Sequence, residues 1–188
     1  MVAASVTDLV GNTVSAFTTT SDSSTVTVDK TLPSLTTVAI ASNNTDTARA
    51  KLANTVTLSF TANEAIQTPS VTLLGVAATI ANPSGNNWTA TATVGAGTEE
   101  GVAAFSISVT DLVGNTASAV TATTNSSSVT VDKTLPSLTT VTIASDNANT
   151  ARAKLANTVT LSFTASEAIQ TPNVTLLGVA ATIANLIS

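Results

Sequence analysis

The segment Val28-Asp29-Lys30-Thr31-Leu32-Pro33 returns as Val131-Asp132-Lys133-Thr134-Leu135-Pro136, 103 positions later (Asp132 against Asp29). At that offset Ser5–Asn82 lies on Ser108–Asn185 without a gap, and about 66 of 78 aligned positions are identical. A period of that length is close to the size of one small β-sandwich domain. The chain must therefore fold as one module used repeatedly. Near-identity without insertions points to recent tandem duplication.

The repeat sets the expected domain boundaries. Residues 1–30 match the last part of a module, residues 31–133 form a complete one, and residues 134–188 match the first half of the next. At Leu186-Ile187-Ser188 the copy departs from Pro83-Ser84-Gly85. The chain reads as a piece of a longer array, cut inside a module at each end.

Within the complete module the hydrophobic period is two almost throughout, which is the signature of strands with one face buried. Strands are expected at 35–40, 55–61, 71–74, 76–80, 88–94, 103–110, 117–123 and 127–132. The polar stretch Ser42–Lys51 is expected to be a surface loop, and Gly75 to mark a tight reversal. Val38, Ile40, Val56, Leu58, Phe60, Trp88, Ala90, Ala92, Val94, Phe105, Ile107 and Val109 should face inward. Seven or eight short strands with turn signals about every ten residues indicate an all-β fold, an antiparallel sandwich of immunoglobulin-like type.

Composition narrows the functional classes. Charged residues make up only 9% of the chain and the formal net charge is −5, so the basic footprint of a nucleic-acid-binding protein is missing. There is no His and no Cys, which removes the commonest general base, the thiol nucleophile and disulfides. Glu64 and Glu167 occupy equivalent positions of different repeats, so they are a poor carboxylate pair for hydrolysis. No enzymatic activity is expected. Met1 is followed by neither a basic region nor a long apolar run, so the sequence shows no signal peptide, and no stretch reaches membrane-span length.

Four motifs occur in a fixed order: Val-Asp-Lys-Thr-x-Pro, Val-Thr-Leu-Ser-Phe-Thr-Ala-x-Glu-Ala, Asn-x-Trp-Thr-Ala-Thr and Asp-x-x-Gly-Asn. Together they resemble the bacterial immunoglobulin-like (Big-type) tandem repeats of large surface and secreted proteins, including adhesins. The resemblance covers essentially the whole chain. It implies an extracellular or cell-surface location, and a rod-like array whose partners are neighbouring repeats of the same parent chain. It also implies calcium at module junctions, held by acidic residues.

The acids that would serve are Asp8, Asp29, Glu64, Asp111, Asp132 and Glu167. Calcium takes six to eight oxygens and tolerates irregular geometry. Asp111, Asp132 and Glu167 are expected to meet at one junction, with Asp8, Asp29 and Glu64 as the equivalent set one repeat earlier. The competing account is local: Asp111 and Asn115 make an Asx-type turn and Gly114 takes a positive φ. Lys30, Lys133, Glu99 and Glu100 read as solvated charges. Trp88 reads as a buried strand residue in preference to a sugar-stacking platform. Pro33 and Pro136 fix φ at the junctions and should stiffen them.

Two functions compete. The first is a structural spacer in a long extracellular array. The second is an adhesive module that recognises a surface glycan or a host protein through tip loops. Near-identical repeats favour the spacer, because a receptor site usually calls for loop diversity. The half-modules should also expose unpaired strand edges.

Overall fold

The structure is a computed structural model and describes residues 3–184; Leu186-Ile187-Ser188 lie outside the described residues. The described residues form strands and turns and no helix. They divide into two compact units, the first ending at Asp132 and the second beginning at Lys133.

In the first unit the chain runs through β1 (Leu35–Ser42), β2 (Arg49–Ala50), β3 (Thr55–Ala62), β4 (Ser70–Leu73) and β5 (Val76–Ala77). It continues through β6 (Thr79–Ser84), β7 (Asn87–Thr93), β8 (Gly101–Val102), β9 (Phe105–Ser108) and β10 (Thr130–Val131). One sheet has the order β1-β3-β7-β6 and a second the order β5-β4-β9, with every neighbouring pair antiparallel. Inward residues of the two sheets form one hydrophobic cluster, so the module is an antiparallel β-sandwich.

β3 is the centre of this arrangement. Its alternation sends Val56, Leu58 and Phe60 into the core, where they are buried, while Thr57 and Ser59 lie on the opposite face. On one edge it pairs with β1 (Val38 opposite Phe60). On the other it pairs with β7, with Phe60 opposite Trp88, Leu58 opposite Ala90 and Val56 opposite Ala92. Large residues on β3 thus meet small ones on β7 at two of three positions, which keeps the core thin. Of the residues expected inward, Phe105 is the exception: it is half-buried and packs against the margin of the core.

Two strand expectations and one loop expectation are corrected. The expected strand 76–80 is two strands, because the chain changes sheets at Ala78: β5 pairs with β4, whereas β6 pairs with β7. The segment 117–123 contains a single bridge, Val120 with Ile107, just after the bridge of Thr116 with Thr110. It then crosses to the edge of β1, where Thr124 N–H donates to the Val38 carbonyl at 2.9 Å. The loop Ser42–Lys51 contains β2, which pairs in parallel with β10, while β10 pairs antiparallel with β8. The antiparallel expectation did not foresee that parallel pair.

The β4–β5 reversal is a two-residue turn with Leu74 at φ +55° and Gly75 at φ +78°. Both positive angles suit the right-handed twist of a hairpin, and glycine takes its share at no steric cost.

The second unit holds β11 (Leu138–Ser145), β12 (Val159–Ala165), β13 (Thr175–Leu176) and β14 (Val179–Ala180). β11 and β12 repeat the register of β1 and β3, down to the irregularity near Leu138, and β13–β14 is a hairpin. Leu177 and Gly178 repeat the two positive φ angles of the first unit's hairpin turn. No helix among the described residues is long and apolar enough to cross a membrane.

Candidate functional site

The site forms around the turn that follows β9. Asp111 N–H donates to the Asn115 carbonyl at 3.0 Å, closing a loop in which Gly114 sits at φ +101°. Asp111 Oδ1 accepts the main-chain N–H groups of Val113, Gly114 and Asn115 at 2.9, 2.7 and 2.8 Å. Its Oδ2 accepts the Asn115 side-chain amide at 2.7 Å. This is the Asx-type turn expected from the Asp-x-x-Gly-Asn motif.

Asp111 is buried. Burial pushes its carboxyl up, yet the amide of Asn115 and the N–H groups of Asn115, Gly114 and Val113 outweigh that and hold it below its ordinary value.

The same loop forms at Asp8, where Oδ1 accepts Val10 N–H and Asn12 N–H and Oδ2 accepts the Asn12 amide at 2.8 Å. Those hydrogen bonds, Asn12's side chain first, also hold the Asp8 carboxyl below its ordinary value. Asp8 and its neighbours are exposed, so the motif builds this turn without help from a core.

What differs is the surroundings. The Asp111 turn is fixed to the corner after β3: Ile66 bridges Asp111, Gln67 N–H donates to the Thr110 carbonyl at 2.8 Å, and Gln67 Nε2 donates to the Asp111 carbonyl at 2.9 Å. The turn also holds the segment entering the module. Asn115 Nδ2 lies 3.3 Å from the carbonyls of both Asp29 and Thr31. Asp29 Oδ1 accepts Thr31 N–H at 2.9 Å, which folds the linker on itself, and Pro33 is fully buried. Pro136, its copy at the start of the second unit, is exposed.

These attachments bring carboxylate oxygens of Asp29, Glu64 and Asp111 within 4.8 Å of one another. The expected grouping is therefore corrected. Asp29, in the entering linker, and Glu64 are joined by Asp111 of Glu64's module, and Asp8 is not a member of the cluster. The cause is the pairing of β4 with β9, which carries the turn after β9 to the corner of the same module.

Asp132 and Glu167, the copies of Asp29 and Glu64, fall in different compact units. Glu167 Oε1 is buried without a hydrogen-bond partner. Trp88 is buried in β7, and its Nε1 likewise lacks a partner. The motifs pointed to Asp29, Glu64 and Asp111, but Asn115 and Gln67 as fasteners of the linker and corner were missed. The signal for Asn115 was present in the invariant Gly-Asn of both copies.

Comparison with known protein families, with characterised proteins and with solved structures yields no match to this chain.

Proposed function

We propose that this chain is spacer material: immunoglobulin-like modules of a long bacterial surface array, built to hold the parent protein extended outside the cell. The observation that carries the reading is the fastening of the entering linker. Asn115 and Asp29 tie the stretch before Pro33 to the module it enters, and Pro33 is buried there. A linker held by its own module has lost the freedom that would make a flexible joint. Near-identical repeats supply the same joint again and again, as a rod requires.

The acidic cluster suits this role as a second fastener. Three carboxylates drawn from linker, corner and turn repel one another unless a cation lies among them. All three donors are oxygens, which suits calcium better than zinc or copper. Asp29, Glu64 and Asp111 would hold the ion. It would supply a cross-link between linker and module.

The test is small-angle X-ray scattering on tandem arrays of increasing length built from residues 29–131, one whole period. Maximum dimension should grow in proportion to module number. Asn115→Ala in every copy should shorten the particle at constant length of chain. Growth with the square root of module number in the unsubstituted array would defeat the spacer reading.

A further inference from the structure

β1 lies at the margin of its sheet, with β3 on one side. Its other edge is closed by the segment that ends the module. Val38 N–H donates to Thr124 Oγ1 and Ile40 N–H to Ser127 Oγ, each at 2.9 Å, while Thr124 N–H returns a bond to the Val38 carbonyl. Further along, Thr130 N–H donates to the Ala48 carbonyl at 2.8 Å and Asp132 N–H to the Ala50 carbonyl at 2.9 Å.

The partners advance in the same order: Val38, Ile40, Ala48 and Ala50 meet Thr124, Ser127, Thr130 and Asp132. The first and last segments of the module therefore lie side by side and parallel, as the β2–β10 register also shows. The chain enters at the start of this contact, before Leu35, and leaves at its end, after Val131. Tension along the chain slides one segment past the other. Bonds loaded in that way share the force and yield together, whereas segments pulled apart from one end open bond by bond.

The two hydroxyls are held ready by a local turn. Thr123 Oγ1 donates to the Ser127 carbonyl at 2.9 Å, Ser127 N–H donates to Asn125 Oδ1 at 3.1 Å, and Ser126 takes φ +59°. The same turn forms one repeat earlier, where Ser21–Ser24 are exposed. There Thr20 Oγ1 donates to the Ser24 carbonyl at 2.8 Å, Ser24 N–H donates to Asp22 Oδ1 at 3.0 Å, and Ser23 takes φ +57°. Local sequence thus makes the turn without a core beneath it. Both copies carry hydroxyls at the two contact positions, Ser21 and Ser24 standing for Thr124 and Ser127. Beyond the turn Val129 and Val131 are buried, so the segment is anchored in the core at one end and clasped to β1 at the other.

We propose that this clasp bears tension: Thr124 and Ser127 fasten the last segment to β1 so that the module resists being drawn out between its two ends. The source of the tension rests on the spacer reading; the clasp itself rests on the first unit's geometry.

The chain contains no Cys, so paired substitutions place the handles of an optical trap at chosen residues of the full 188-residue chain. Leu32→Cys with Lys133→Cys loads the clasp in shear. Lys51→Cys with Lys133→Cys peels the same segments apart from the exit end. At equal force the sheared module should survive at least about tenfold longer than the peeled one. Its opening should lengthen the tether by about 300 Å, the release of Leu35–Val131.

Thr124→Val and Ser127→Ala should each shorten the sheared lifetime about three- to tenfold, as loss of one hydrogen bond at the barrier predicts, and leave the peeled lifetime unchanged. Phe105→Ala weakens the margin of the core away from the clasp, and should shorten both lifetimes by the same factor. Equal lifetimes of the unsubstituted clasp in the two geometries would overturn the proposal. So would clasp variants that act no more strongly on the sheared lifetime than on the peeled one. Either failure leaves the spacer reading standing, because scattering from arrays is read without applied force.

Discussion

The side-chain amide of Asn115 lies 3.3 Å from the main-chain carbonyl of Asp29, a residue 86 positions earlier in the chain. That contact separates two turns that are otherwise alike, since Asn12 makes the local bond to Asp8 in an exposed segment.

Asn115→Ala should therefore destabilise the first unit by about 1–2 kcal/mol, the range for a partly buried hydrogen-bonding group. Asn12→Ala should leave its unfolding midpoint unchanged. Limited proteolysis gives the sharper check, because cleavage within Asp29–Leu32 should accelerate in Asn115→Ala alone.

Acid should loosen the same place. The Asp111 carboxyl is held below its ordinary value in the folded state, so its contribution is complete above the unfolded pKa of about 3.9. That contribution disappears as pH falls through the lower, folded value. Thermal midpoints followed by Trp88 fluorescence should be level near neutrality and fall below about pH 4. In Asp111→Asn that fall should be shallower and start from a lower midpoint.

If a cation joins Asp29, Glu64 and Asp111, calcium must raise the unfolding midpoint by mass action relative to excess chelator. Glu64→Gln should abolish the rise while leaving the chelated midpoint close to that of the unsubstituted chain. Equal midpoints with calcium and with chelator would leave the linker fastened by hydrogen bonds alone.

The core offers a graded series. Phe60→Ala, at a fully packed site on β3, should cost about 3–5 kcal/mol in chemical denaturation of the first unit. Phe105→Ala should cost distinctly less, because its ring is half-buried at the margin of the core.

Backbone strain supplies a stabilising change. Ala53 is exposed at φ +69°, and its N–H donates to the Val94 carbonyl at 2.9 Å. Ala53→Gly keeps that bond and relieves the left-handed conformation. Stability should rise by about 1 kcal/mol, measured by urea unfolding.

The sequence carried much of this architecture, and its failures have identifiable causes. β3 and β7 were legible because one face is buried along their whole length, so the period of two runs without interruption. The switch of sheets at Ala78 was not, since alternation continues through it and only the pairing partner changes. β2 was hidden because two residues, one of them Arg49, carry no period at all. The acids of the cluster were legible as residue types, but their grouping was not. A repeat fixes each residue only up to a shift by one whole period. Asp8 and Asp111 are then equal candidates to join Glu64, and the β4–β9 pairing decides between them.

The parallel pair between β2 and β10 has a consequence during synthesis. Arg49–Ala50 emerges early from a ribosome, and Thr130–Val131, which completes its sheet, emerges near the end of the module. Meanwhile Thr27-Val28, an identical dipeptide, has already been made. The strand itself cannot tell the two apart, so the choice falls to loop length and to the packing that accompanies each. Exchange of the closing strand between adjacent repeats, or between neighbouring chains, would keep the pairing of that dipeptide with β2. Sequence uniformity thus has a cost in fidelity: an array of interchangeable parts stays unentangled only if each module shuts before the next copy of its last strand appears.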